Sequence, residues 1–156
     1  MQSSSYRHVQ IGWVSVGIMG VVALLLFRVG LVGTAPRIVL QFVAVSLVAA
    51  AIAFSYQTIE VTETEVVSRF ALGIMPKRIP LADIVRVEFA PSTWFEGWGI
   101  RLTTRGWLYN VSGFGAVEFT MRDGNRMRFG TDDSSNLIAA VERLIPEKPR
   151  GQFNRR

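Results

Sequence analysis

Two long stretches without a charge constrain this chain more than anything else in it. Residues 11 to 27 and residues 38 to 54 each run for 17 positions with no Asp, Glu, Lys or Arg. At about 1.5 Å of rise per residue, a helix of that length covers most of a hydrocarbon core. Between them, Gly30, Gly33 and Pro36 sit among Arg28 to Arg37 and suit a tight connection, because they break helices. The pair predicts two antiparallel transmembrane helices, over about residues 9 to 29 and 37 to 56. A buried hairpin in a soluble protein would keep one polar face, whereas these runs keep only Ser15, Gln41 and Ser46. A cleaved signal peptide fits poorly, since the nearest small-residue site, Gly33-Thr34-Ala35, is followed by Pro36 and at once by the second run.

Finer details agree with a membrane hairpin. Ser46 with Ala50 and Ala49 with Ala53 are small pairs four apart, which let helix backbones approach. Trp13 and Tyr56 fall on the same side of such a hairpin, as interfacial aromatics do. Arg28 and Arg37 on the connection face Arg7 and Arg69 on the other side, so charge alone does not orient it.

Charge is distributed unevenly along the 156 residues. No Asp or Glu precedes Glu60, and all twelve acids follow from there. Residues 57 to 147 hold ten basic and twelve acidic side chains, while the last nine residues add Lys148, Arg150, Arg155 and Arg156. The positive excess therefore lies at the membrane end and in a tail, not in a basic stripe on a module, and this excludes nucleic acid as the expected partner. The absence of Cys excludes a disulfide framework, a thiolate metal site and a Cys nucleophile, and His8 is the only histidine.

After Tyr56 the pattern changes to period 2. Residues 58 to 62, 66 to 72, 77 to 81, 84 to 89, 97 to 103 and 107 to 111 read as short strands. Residues 116 to 122 and 126 to 129 form the clearest hairpin, with Val117, Phe119 and Met121 on the face of Met127 and Phe129. A connection of Asp123-Gly124-Asn125 would place Met121 opposite Met127 and Phe119 opposite Phe129, with Asn125 left-handed. The last element is an amphipathic helix carrying Leu137, Ile138, Val141, Leu144 and Ile145, started by Asp132 or Asp133 as a cap and stopped by Pro146. The expected class is two transmembrane helices followed by an antiparallel barrel or sandwich of about seven strands, capped by a C-terminal helix. The expected units are a tail and hairpin over residues 1 to 56, a domain over 57 to 146, and a disordered basic tail over 147 to 156.

Several segments carry a likeness to a known family. They are Ile79-Pro80-Leu81-Ala82-Asp83-Ile84, Gly97-Trp98-Gly99-Ile100-Arg101, Tyr109-Asn110-Val111-Ser112-Gly113, and Asp123-Gly124-Asn125 followed by Gly130-Thr131-Asp132-Asp133. In these the chain resembles the bacterial pleckstrin-homology-like membrane proteins, in which a transmembrane hairpin precedes a PH-like domain. The resemblance implies residence in the bacterial inner membrane, with the domain in the cytoplasm. PH-like domains elsewhere bind phosphoinositides through basic residues around the first strand hairpin. Here the corresponding turn is Thr62-Glu63-Thr64-Glu65, whose two carboxylates would repel an inositol phosphate.

No catalytic, cofactor or metal constellation emerges. Gly97 and Gly99 are followed by Leu102 where a dinucleotide motif needs its third glycine. Glu60, Glu63 and Glu65 read as solvated turn carboxylates, and Asp132 with Asp133 lacks a third oxygen ligand at a sensible spacing. Two surface features remain as contact candidates. Trp94 and Phe95 lie in a loop, where large apolar side chains either tuck under the sheet or meet a bilayer or partner. Arg122, Arg126 and Arg128 are expected on one hairpin face, the first two directly opposed. With Lys148, Arg150, Arg155 and Arg156 they are candidates for holding anionic lipid headgroups. The expected function is that of a non-catalytic interaction module, integral to the bilayer, binding lipid headgroups or another membrane protein. The competing class is an accessory or scaffold subunit of a larger membrane complex.

Overall fold

The structure, a computed structural model, describes residues 4 to 32 and 36 to 145. It opens with a strand, β1 (Ser4–Ile11), where the sequence predicts a tail running into a helix. Its partner is β2 (Tyr56–Thr62), antiparallel, with Ile11 opposite Tyr56 and Arg7 opposite Glu60. The two apolar helices, α1 (Trp13–Val32) and α2 (Arg37–Ala53), are thus inserted between neighbouring strands of one sheet. α1 starts at Trp13 rather than near residue 9 because Gly12 ends the strand. Its N–H donates to the Ser55 carbonyl at 2.7 Å and its carbonyl accepts the first helical bond, from Val16.

By length and composition α1 is able to cross a membrane, and α2 is a shorter apolar helix of 17 residues. Only Ser15, Ala23 and Gly30 of α1 are buried. Gly30 lets the helices close near the connection, where a Cβ on it would meet the Leu40 Cβ at 3.5 Å. In α2 only Ala44 and Ala51 are buried, and many of the larger apolar side chains of both helices, Ile18, Leu24, Phe42 and Val45 among them, are exposed around the hairpin.

Among the described residues the strands form two sheets and no closed barrel. The first has the order β1-β2-β3-β4, adding β3 (Glu65–Phe70) and β4 (Lys77–Pro80). The second has five strands, β5 (Ile84–Phe89), β6 (Gly99–Thr103), β7 (Gly106–Asn110), β8 (Ala116–Met121) and β9 (Arg126–Gly130), in the order β5-β8-β9-β7-β6. β7 and β9 pair in parallel, so the second sheet is mixed rather than wholly antiparallel. That pairing needs a close backbone approach at Gly106, where a Cβ would lie 2.1 Å from the Arg126 carbonyl oxygen. The two sheets share one core, with Ile59, Val61, Val66 and Ile79 from the first meeting Val117, Phe119, Met127 and Phe129 from the second. The final helix, α3 (Ser134–Glu142), inserts Leu137, Ala140 and Val141 into the same cluster.

In the β8–β9 hairpin the expected faces hold and the register differs by two residues. Phe119 stands opposite Met127 and Val117 opposite Phe129. The cause is the turn. Gly124 donates to the Met121 carbonyl at 3.0 Å, the Met121 N–H donates to the Asn125 carbonyl at 2.9 Å, and the left-handed residue is Gly124, at φ 83°. A type I turn followed by a left-handed glycine is the usual three-residue hairpin loop, here Arg122-Asp123-Gly124. In β5 a bulge between Ile84 and Arg86 breaks the expected alternation, and Phe89, at the end of the strand, is exposed.

Candidate functional site

The loop between β5 and β6 carries the most exposed aromatic pair of the sheet domain. Trp94 and Phe95 are each 71% exposed, and their ring centroids lie 4.0 Å apart. The expectation left open whether they tuck beneath the sheet, and they do not. Around them the chain turns tightly. The Thr93 N–H donates to Glu96 Oε2 at 2.8 Å, and the Glu96 N–H donates to the Thr93 carbonyl at 3.0 Å. Such a Thr-x-x-Glu turn is closed by its own carboxylate, as in the first half of a helix capping box. The two residues between the closing pair are the aromatic ones.

The turn is fastened to the sheet by an ion pair. Arg128, on β9, alternates with the core residues Met127 and Phe129, so it leaves the opposite face of the second sheet, and the loop covers it completely. Its guanidinium donates to both Glu96 carboxylate oxygens, one at 3.2 Å, and to Thr103 Oγ1 at 2.8 Å. A buried guanidinium is tolerable only with such a partner. Hydrogen bonding from Arg128 holds the Glu96 carboxyl down at about 2, with smaller help from the Thr93 N–H and the Arg105 charge. Arg105 also donates to the Pro91 carbonyl at 3.1 Å. The feet of the loop are tied to the segment after β7, where Ser92 N–H donates to the Phe114 carbonyl at 2.8 Å and Trp98 Nε1 to the Gly113 carbonyl at 3.2 Å. The result is a pinned loop that presents two rings, in contact and tilted by 34°, to the surroundings.

The three arginines expected to share an exposed face do not share one. Arg128 is inside. Arg126 faces Thr120 rather than Arg122 and lies 3.5 Å from Glu118, and Arg122 donates from Nε to the Ala82 carbonyl at 2.7 Å. Lys148, Arg150, Arg155 and Arg156 lie outside the described residues.

Acidic groups are also more committed than the sequence suggests. Glu60, expected to be solvated, is mostly covered between Arg7 at 3.3 Å and Arg69 at 3.2 Å, and Glu65 pairs with Arg78. Asp133 precedes α3 without a side-chain capping bond. Instead its carboxylate accepts from the Tyr6 hydroxyl at 3.1 Å and from Asn136 at 2.7 Å, while Asp132 meets His8 Nε2 at 2.6 Å. Burial, reinforced by Asp133, raises the Tyr6 hydroxyl above the usual tyrosine range. This cluster fastens β1 to the start of α3. Among the described residues no three His, Asp or Glu side chains gather as a metal site.

Sequence reasoning missed Glu96, Thr103 and Arg105 as supports of the aromatic loop. The Thr93-to-Glu96 spacing is a readable turn signal, but nothing in the sequence joins Glu96 to a residue 32 positions away. A comparison of the chain with protein-family models, curated proteins and solved structures finds no match in any of the three.

Proposed function

We propose that this chain is an integral membrane protein whose two-helix hairpin anchors a PH-like, non-catalytic module, and that the module binds a protein partner through Trp94 and Phe95. The observation that carries the reading is the rigid presentation of those rings. Apolar side chains held out in water by a buried ion pair and a closed turn lose little conformational freedom on binding, which is the property of an anchor residue at an interface. The Trp98 foot of the loop bonds Gly113, next to the Ser112 that Gln10 of β1 reaches beside the hairpin, while Glu96, next to the rings, shares Arg128 with Thr103 and lies 3.9 Å from Arg105, at and beyond the far end of β6. A protein partner suits that position better than the bilayer holding the hairpin.

The anchor reading draws support from β1. Cleavage after α1 would remove a strand that pairs with β2 along its whole length, so a signal-sequence role for α1 would strip the first sheet of its edge strand. Both helices then span as a hairpin, with the domain and the amino terminus on one side, and the family resemblance puts that side in the cytoplasm of a bacterial cell.

A photoreactive residue at position 94, in the full chain in its native membrane, tests both parts. Expected are a single protein adduct from position 94, none from exposed Arg86, and a chain that resists carbonate extraction. Adducts only to lipid, or none, would overturn the partner assignment, and release by carbonate would overturn the anchor. The scaffold reading has one specific support, a groove of about 340 Å³ between the helices lined by Gly20, Ala23, Phe27 and Ala44. An adduct from Leu24 to another integral protein would favour it.

A further inference from the structure

The end of the domain from which the hairpin leaves is built with its apolar side chains turned outward. On β1 the inward residues are Tyr6, His8 and the buried Gln10, whereas Val9 and Ile11 face out at 45% and 47% exposure. This inverts the usual alternation of a strand beside water. Next to Ile11 stand Trp13 and Tyr56, and with Val9, Val16 and Ser55 these residues line a shallow, mainly apolar groove of about 310 Å³. Across β2 lies the connection from β3 to β4, whose 3-10 turn packs on α2 and is tied to the base by a bond from the Leu72 N–H to the Tyr56 hydroxyl at 3.2 Å. In that connection Leu72 and Met75 are 77% and 57% exposed, and both take left-handed backbone, at φ 60° and 48°. Side chains other than glycine rarely adopt that conformation. A water-facing turn of this kind would ordinarily carry Asn or Gly at those positions.

Resting on the membrane anchor proposed above, we infer that Val9, Ile11, Trp13, Tyr56, Leu72 and Met75 form a collar that enters the interfacial layer of the same bilayer and seats the sheet domain against it. The occupant is lipid because the collar is continuous with an apolar hairpin that has no free linker. Only Gly12 separates β1 from α1, and only Phe54 and Ser55 separate α2 from β2. Trp and Tyr at the helix ends have the amphipathic character that favours headgroup depth. The aliphatic pair on the neighbouring turn would reach the same plane from the other side of β2.

The chain has no Cys, so single labels are clean. Nitroxides at V9C, L72C and M75C in bilayer nanodiscs, with E63C in the turn after the far end of β2 as the reference, report lipid-side oxygen against a water-soluble relaxer. Expected is an oxygen preference at positions 9, 72 and 75, reversed at 63. Carrying L72D and M75D together should shift the label at 9 several-fold toward the aqueous reagent without loss of the folded sheet, because both side chains are exposed. Aqueous labels at 72 and 75 in a chain that stays carbonate-resistant would overturn the collar and leave the anchor standing. Labels shielded from both reagents would mean protein cover and would overturn it too. A chain extracted by carbonate would remove both readings.

Discussion

Arg128 and Glu96 hold the aromatic loop, and their chemistry sets how that loop responds to substitution and to acid. Removing one partner of a buried ion pair leaves the other charge uncompensated, at a cost of about 3 to 5 kcal/mol. Glu96→Ala, which strands a guanidinium that has no exposure, should destabilise by that order, whereas Arg128→Met combined with Glu96→Ala should recover most of the loss. Denaturant unfolding of the two chains checks the comparison, and equal losses would mean the pair carries no coupling. The pH dependence has a definite sign. Because the Glu96 carboxyl is held at about 2 in the folded chain against 4.5 for the free group, its contribution is complete above about 4.5 and fades as pH falls toward 2. Glu96→Gln should therefore flatten the acid limb of the unfolding midpoint against pH over that window. It should leave the difference between the two chains constant above it.

At the scale of elements, β1 changes what counts as a foldable unit. Residues 57 to 147 contain both sheets except their first strand, and a fragment so cut bares the edge of β2 along with the groups that Tyr6, His8 and Gln10 satisfy. That fragment should show poorly dispersed amide resonances or aggregate, as an exposed apolar edge does. Joining residues 4 to 11 to residue 56 by a short Gly-rich turn in place of the hairpin should restore dispersion, since Ile11 and Tyr56 already stand opposite each other. Equal dispersion from both proteins would show that β1 is dispensable. The sequence hides β1 because its inward residues are polar or aromatic and its partner lies beyond two helices. By contrast β2 to β9 were readable, because their alternation places Ile59, Val61, Val117 and Phe119 on core faces. The β8–β9 register was less so. A slip of two keeps every side chain on its face, and only the left-handed Gly124 distinguishes the alternatives. The candidate site was half readable: Trp94 and Phe95 stand out as apolar residues in a loop, while Arg128 has the look of a surface charge until the fold places Glu96 over it.

For the whole molecule, the decisive question is whether α2 spans beside α1. The 20 residues of α1 extend about 30 Å and the 17 of α2 about 25 Å, against a hydrocarbon core of about 30 Å. A shortfall of that size is met by local thinning or by flanking residues at modest cost, and Arg37 at the start of α2 can snorkel to the far headgroups. Spanning therefore predicts a depth-dependent penalty. Val45 is exposed at the middle of α2, and Val39 is exposed near the connection. Val45→Arg should cost roughly 3 kcal/mol of insertion, whereas Val39→Arg, within reach of the interface, should cost much less. The carbonate-resistant fraction of each variant reads the difference. If α2 instead lay along the surface or were covered by protein, the penalty would follow the covered face rather than the depth. Equal retention of the two variants would then leave α1 as the only candidate span. Should the gradient appear, the short connections at Gly12 and Ser55 carry the consequence outward. With β1 and β2 both ending at the membrane plane, the domain has no slack in which to turn, and the direction in which the aromatic loop faces is set by the hairpin itself.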